Sequence, residues 1–191
     1  NSGARGVIVS NRRLAERVLP AAHKAPKAEF VFAMDLPGLS QELSVKVLHM
    51  DDVLYRGREN HQNIGEMAGQ WGTDDTACII YTSGTGGVPK GVMLSHRNIL
   101  SNCEGAVNAL MDLGLGNEVF LSFLPLSHSY EHMAGQFFPM TIGAEIFYAD
   151  GADTLGANMI EARPTIMTAV PRLYETLHQR ITMDVRKAGG F

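Results

Sequence analysis

A short segment rich in glycines and hydroxyl groups, with one lysine, is the part of this chain best suited to chemistry. Residues 81–92 read Tyr-Thr-Ser-Gly-Thr-Gly-Gly-Val-Pro-Lys-Gly-Val. Glycines let backbone N–H groups approach phosphate oxygens, hydroxyls add donors, and a lysine supplies a positive point charge. The segment therefore predicts a phosphate-binding loop, with a plain surface hairpin as the simpler alternative. The residues predicted to contact phosphate are Thr82, Ser83, Gly84, Thr85, Gly86, Gly87 and Lys90.

Two widespread phosphate loops do not match this segment. The Walker A pattern needs Gly-Lys-Ser/Thr at its end, but Pro89 precedes Lys90 and Gly91 follows it. The dinucleotide fingerprint Gly-x-Gly-x-x-Gly would begin at Gly84, and Pro89 then stands where its third glycine belongs. Neither loop type accounts for the segment.

The segment resembles the signature of the adenylate-forming, or AMP-binding, superfamily. That signature usually reads Thr-Ser-Gly-Thr-Thr-Gly-x-Pro-Lys-Gly, and residues 82–91 match every fixed position but one. The exception is Gly86, where the family usually has a second threonine, so one hydroxyl donor is lost. Within the superfamily the chain is most similar to the long-chain fatty acyl-CoA synthetases.

Two later segments extend this resemblance. Residues 124–132 read Leu-Pro-Leu-Ser-His-Ser-Tyr-Glu-His and residues 169–175 read Ala-Val-Pro-Arg-Leu-Tyr-Glu, both similar to family motifs. The first motif implies that His128 and Tyr130 line the site of the acyl group. Without the resemblance, a structural role for His128 and Tyr130 stays open. A zinc site of Glu131 and His132 with His128 is a further alternative, although no additional ligand is evident.

The resemblance implies a reaction that uses ATP, Mg²⁺ and coenzyme A. A carboxylate attacks the α-phosphorus of ATP to give an acyl-adenylate and pyrophosphate, and coenzyme A then displaces AMP. The 82–91 loop would hold the β- and γ-phosphates, and Thr85 is a candidate Mg²⁺ contact. No residue of this chain is assigned a catalytic role.

Several family segments that hold adenine, ribose and the adenylating lysine are not found here. We therefore expect a fragment of one AMP-binding N-terminal domain, inactive when isolated, with residues 1–72 as its loosely matching leading part. Residues 73–191 would carry the phosphate loop and the acyl pocket. The alternatives are an adenylating enzyme of another substrate class, such as an aryl-CoA ligase or a peptide-synthetase adenylation domain, or a phosphate-binding module without catalysis.

Alternating apolar runs and helical segments indicate how these residues are positioned. The pattern predicts the α/β class, with a layered and largely parallel sheet flanked by helices, as in the acyl-CoA synthetase N-terminal domain. A buried strand at residues 76–81 would precede the loop, and Ser95 would cap a helix reaching Met111. A strand at 118–123 would precede His128, with a helix at 132–140 and a further strand at 165–169.

The amino-acid composition indicates which binding partners and which cellular compartment to expect. The chain is 45% hydrophobic and 19% charged, with a formal net charge of -4, which gives no reason to expect nucleic-acid binding. Lysines and arginines in residues 1–30 most simply form the solvated face of a helix, with a peripheral membrane contact or a nucleic-acid patch as the alternatives. The predicted partners are small-molecule substrates and the remainder of the parent chain, and the predicted compartment is the cytoplasm.

Overall fold

The computed structural model describes residues 2–35, 45–84, 87–151, 153–187 and 189. The chain divides into two compact units, Asn1–Trp71 and Gly72–Phe191. The candidate loop and the candidate acyl segment both lie in the second unit. Pro37 and Gly38 predict a loop at residues 36–42, and this segment lies outside the described residues.

The first unit is a parallel sheet with helices. Its elements are β1 (Gly6–Val9), α1 (Arg12–Lys24), β2 (Phe30–Ala33), β3 (Lys46–His49), α2 (Met50–Glu59) and α3 (Ile64–Ala68). The strands pair in parallel in the order β1-β2-β3. Asn11 caps α1, since its side chain accepts a hydrogen bond from the Leu14 amide at 3.0 Å. The core of this unit contains Ala15 and Leu19 of α1 against Val31 of β2.

The second unit contains an antiparallel hairpin, a parallel sheet and several helices. Its elements are β4 (Thr76–Thr82), β5 (Lys90–Ser95), α4 (His96–Leu110), a 3₁₀ turn (Met111–Leu113), β6 (Val119–Ser122), α5 (Ser129–Glu131), a π-helical turn (His132–Phe137), α6 (Phe138–Thr141), β7 (Glu145–Tyr148), α7 (Leu155–Ala162), β8 (Ile166–Met167) and α8 (Pro171–Lys187). The parallel sheet has the order β7-β6-β8. Parallel sheets with helices confirm the predicted α/β class.

The strand before the candidate loop differs from its prediction in its burial. Strand β4 pairs antiparallel with β5, so the loop joins the two strands of a hairpin. Only Ile80 of β4 is buried, whereas Ile79 and Tyr81 are exposed, so the prediction of a buried strand is wrong. The apolar run fitted a buried strand, but hydrophobicity alone does not reveal which strand pairs with it.

Helix α4 begins at a complete capping box. The Ser95 Oγ accepts from the Asn98 amide at 3.2 Å, and the Asn98 Oδ1 accepts from the Ser95 amide at 2.9 Å. These two bonds satisfy amides that a helix start would otherwise leave without partners. The predicted cap at Ser95 is confirmed.

Replacing Ser95 by alanine should lower the free energy of unfolding by about 1 kcal/mol, because the cap is lost while the helix remains. Thermal or urea unfolding of the full-length protein measures the change. Ser101→Ala is the matched control, since Ser101 lies within the same helix and donates to the Asn98 carbonyl. An equal loss in both variants would contradict a role specific to the cap.

Candidate functional site

The predicted phosphate loop is the connection of the β4–β5 hairpin. Thr82 and Lys90 are register partners at its two ends, so the chain reverses within this short segment. Gly84 has a φ of 57° and a Cβ there would meet the Val88 carbonyl oxygen at 2.9 Å, which makes a larger residue unfavourable on both counts. Ser83 and Gly87 are exposed, as Thr82 and Lys90 are. Thr85 and Gly86 lie outside the described residues.

The side chain of Lys90 packs along the glycine-rich turn. A Cβ built on Gly84 would lie 3.6 Å from the Lys90 Cγ. No carboxylate in the described part of the chain forms an ion pair with this lysine. A lysine without an ion-pair partner among the described residues, next to a glycine-rich turn, is an arrangement suited to an anion.

The base of the hairpin is tied to the start of α4. The Arg97 guanidinium donates to both carboxylate oxygens of Asp74, at 2.6 and 2.8 Å, and to the Thr73 hydroxyl at 2.9 Å. The hydrogen bond from Arg97 is the main reason that the pKa of Asp74 lies below its ordinary value. The Arg97–Asp74 ion pair is exposed, so it adds little to the free energy of unfolding. Its effect is to hold the base of the hairpin next to the start of α4.

The second candidate segment is the helical stretch of residues 128–141, which begins at His128 and contains α5, the π-helical turn and α6. The His128 Nδ1 accepts a hydrogen bond from the Tyr130 amide at 3.2 Å and so caps the short helix α5. A π-helical turn follows, and its first residue, His132, places its Nε2 3.6 Å from the Sγ of Cys78 in β4. This contact connects the helical stretch to the hairpin strand.

Tyr130 lies between two adjoining cavities. One has a volume of about 470 Å³ and is bounded by α4, by strands β6 and β8 and by the helical stretch; the other, of about 420 Å³, is bounded by β5, α4 and the same stretch. Asn102, Tyr130 and Met133 line both. Both volumes fall in the range of about 300–1,000 Å³ that is usual for small-molecule sites. His128 is not among the described residues that line either cavity.

The larger cavity has mostly apolar walls. Phe120 and Phe138 meet edge to face on one side, with ring centroids 5.8 Å apart, and most of the other lining residues are apolar as well. The polar members are Ser101, Asn102, Tyr130 and Thr168. No charged side chain among the described residues lines it. Such a wall suits an uncharged, apolar part of a ligand.

Glu131, next to Tyr130 in sequence, is a buried carboxylate for which the sequence suggested only a possible metal contact. It accepts hydrogen bonds from Ser122, Phe123 and Thr168 and is fully buried. Its sequence signal is faint: one acidic residue in a largely apolar helical run, followed four positions later by Gly135. Across the described ranges, no three His, Cys, Asp or Glu side chains are grouped as a metal site would require.

The chain belongs to the AMP-binding enzyme family. The sequence profile of that family matches residues 1–189, which is nearly the whole chain. The predicted resemblance is therefore confirmed.

Long-chain fatty acyl-CoA synthetases are among its relatives. The chain is 36% identical over 156 residues to long chain acyl-CoA synthetase 6, peroxisomal, from Arabidopsis thaliana, covering 81% of this chain and 21% of the relative. It is 40% identical over 118 residues to a long-chain-fatty-acid–CoA ligase of Homo sapiens, covering 60% of this chain and 17% of the relative. The chain thus spans about a fifth of the length of these relatives.

Solved structures of adenylate-forming proteins have the same fold. The didomain of a carboxylic acid reductase from Segniliparus rugosus in complex with AMP matches with a TM-score of 0.76 and 24% identity, over 97% of this chain and 28% of that one. Apo MatB from Rhodopseudomonas palustris matches with a TM-score of 0.65 and 27% identity, over 93% of this chain and 32% of that one. Among the described residues, no helix combines the length and apolarity needed to cross a membrane.

Proposed function

We propose that the full-length protein is an ATP-dependent, AMP-forming ligase that joins a long-chain fatty acid to coenzyme A through an acyl-adenylate. The observation that carries the substrate class is the uncharged, apolar cavity beside Tyr130. Membership of the AMP-binding family and similarity to long-chain acyl-CoA synthetases support the reaction type.

The β4–β5 hairpin is the proposed contact with ATP. The transfer brings a carboxylate towards a polyphosphate, so negative charge must be neutralised at that place. Lys90 supplies a positive charge that forms no ion pair with the described carboxylates, and the amides and hydroxyls of residues 82–87 would add donors. Mg²⁺ would neutralise further charge, with Thr85 as its candidate contact.

The helical stretch and its cavities are the proposed site of the fatty acid. Tyr130 lines both spaces, so it is placed to contact an acyl chain that extends from one into the other. Transfer of a chain from water to apolar walls is favourable by about 0.8 kcal/mol for each buried CH₂. His128 stands at the start of this stretch, and we propose that it lies near the carboxylate end.

Ligation of an aromatic acid is the second candidate, since the fold is also that of an anthranilate CoA ligase, at 22% identity and a TM-score of 0.73. The two candidate functions can be distinguished by the acid that the full-length protein activates. Coenzyme A- and ATP-dependent release of AMP with palmitate, and not with benzoate or anthranilate, would support the fatty acid. The reverse preference would support the aromatic acid. The cytoplasm remains our proposed compartment.

Filling the larger cavity should shorten the preferred fatty acid. Ala106 lines this cavity from α4, and phenylalanine there would occupy space that an acyl chain needs. We expect Ala106→Phe to lower the ratio of kcat/KM for palmitate to kcat/KM for octanoate by at least about tenfold, since excluding even one methylene from a pocket costs about 10- to 200-fold. Competition assays with the two acids in the full-length protein measure the ratio.

Ala109→Phe is the matched control. Ala109 lies on the same helix and is exposed, and it is not among the described residues lining the cavity. It should leave the palmitate-to-octanoate ratio unchanged. An unchanged ratio in Ala106→Phe as well would place the acyl chain elsewhere.

A further inference from the structure

Glu131 is a fully buried carboxylate that joins the helical stretch to the ends of two strands. Its Oε1 accepts from the Ser122 hydroxyl at 2.7 Å and from the Phe123 amide at 3.2 Å, and its Oε2 accepts from the Thr168 hydroxyl at 2.6 Å. No lysine, arginine or histidine of the described residues forms an ion pair with it. Its partners among the described residues are therefore neutral donors, namely two hydroxyl groups and one backbone amide.

These donors come from separate parts of the chain. Ser122 ends β6 and Phe123 follows it, whereas Thr168 follows β8. A buried acceptor that loses its donors is destabilising, so the carboxylate favours the arrangement in which all three donors are present. The bonds therefore fix the helical stretch against the carboxyl ends of both strands.

Two neighbours of Glu131 belong to the wall of the larger cavity. Tyr130 precedes it in sequence, and Thr168 is one of its donors; both residues line that cavity. Because the Thr168 hydroxyl donates to Glu131, its proton is directed away from any ligand in the cavity. Glu131 itself is not among the described residues that line the space.

We propose that Glu131 is the positioning residue of the acyl cavity. It holds Tyr130 at the wall and occupies the Thr168 hydroxyl, so that the wall keeps its shape and its apolar character. The substrate role of the cavity rests on the proposed function, whereas the positioning itself rests on the hydrogen bonds. The carboxylate acts through its neighbours and does not contact the acid.

Glu131→Gln in the full-length protein tests this assignment. Glutamine nearly preserves the size, but one carboxylate oxygen becomes an NH₂ group, which donates and does not accept. If this group faces Thr168, the threonine hydroxyl loses its acceptor. We expect the KM for palmitate to rise about tenfold, the effect of one lost buried hydrogen bond, while the KM for ATP stays within about twofold.

Glu145→Gln is the matched control, because Glu145 is an exposed glutamate at the start of the neighbouring strand β7. It should leave both KM values unchanged. If Glu131→Gln does not accumulate as folded protein, Ser122→Ala serves in its place, since it removes one donor to Glu131 and Ser122 is not among the described residues that line the cavity. An equal rise in the KM for acid and for ATP, or a palmitate KM within about twofold of wild type, would overturn the proposal.

Amide hydrogen exchange provides a measurement that does not depend on activity. The Phe123 amide donates to Glu131, so exchange at Phe123 and across residues 129–137 should be about tenfold faster in Glu131→Gln and unchanged in Glu145→Gln. Unchanged exchange in Glu131→Gln would overturn the positioning role. A wild-type protein that activates no fatty acid would overturn the proposed function alone, and exchange would still decide the role of Glu131.

Discussion

Lys90→Ala in the full-length protein is expected to lower kcat/KM for ATP by about ten- to hundredfold, while the KM for the fatty acid changes little. The ammonium group has no carboxylate partner in the described residues and extends beside the glycine-rich turn. A hydrogen bond to a charged group is worth about 1.5–3 kcal/mol, which corresponds to that range. Steady-state kinetics with each substrate varied in turn measure the two effects separately.

Two further variants separate the loss of charge from general damage. Lys90→Arg keeps the positive charge and should retain part of the wild-type kcat/KM for ATP. The planar guanidinium group does not reproduce the geometry of an ammonium group, so the value should stay below that of the wild type. Lys24→Ala removes an exposed lysine at the end of α1 and should leave the ATP kinetics unaltered. Wild-type ATP kinetics in Lys90→Ala would show that this lysine is solvated and that the phosphates bind elsewhere.

Gly135→Ala should destabilise the protein by about 1–3 kcal/mol, the usual cost of forcing atoms into a filled core. Gly135 is buried in the π-helical turn, and a Cβ there would lie 2.6 Å from the Glu131 Cδ. Glu131 cannot move aside without losing its hydrogen bonds to Ser122, Phe123 and Thr168. The midpoint of thermal unfolding should therefore fall clearly below that of the wild type.

Gly156→Ala gives a control of opposite sign. Gly156 lies within α7, and a Cβ there would meet nothing within 4 Å. Alanine in a helix interior is favoured over glycine by about 0.5–1 kcal/mol, so this variant should be slightly more stable than wild type. If Gly135→Ala unfolded at or above the wild-type midpoint, the close packing of Glu131 against the helix would be refuted.

Local sequence signals predicted most elements of the fold. Ser95 was expected to cap a helix, and it does, because a cap depends on a side chain and an amide only three residues away. The helix expected to reach Met111 ends at Leu110, and the expected strand at 165–169 is shorter, at Ile166–Met167. Helices and strands fray at their ends, so patterns locate such boundaries only to within a few residues.

The candidate site was only partly predictable. The 82–91 loop and the family it belongs to were evident from a contiguous motif, and the roles of its residues remain a prediction. Glu131 was not selected, because its partners Ser122 and Thr168 lie 9 and 37 residues away in sequence. No local pattern indicates that such distant hydroxyl groups meet one carboxylate.

The α/β class, the family and the glycine-rich loop with Lys90 could be predicted from residue types, since each depends on neighbouring residues or on a short motif. The folded structure was needed to show that β4 and β5 pair antiparallel, that Tyr130 borders two cavities and that Glu131 is buried. These features depend on contacts between distant segments, where direction of pairing and burial follow from how the elements pack. Packing is a property of the folded chain as a whole, and residue type alone does not specify it.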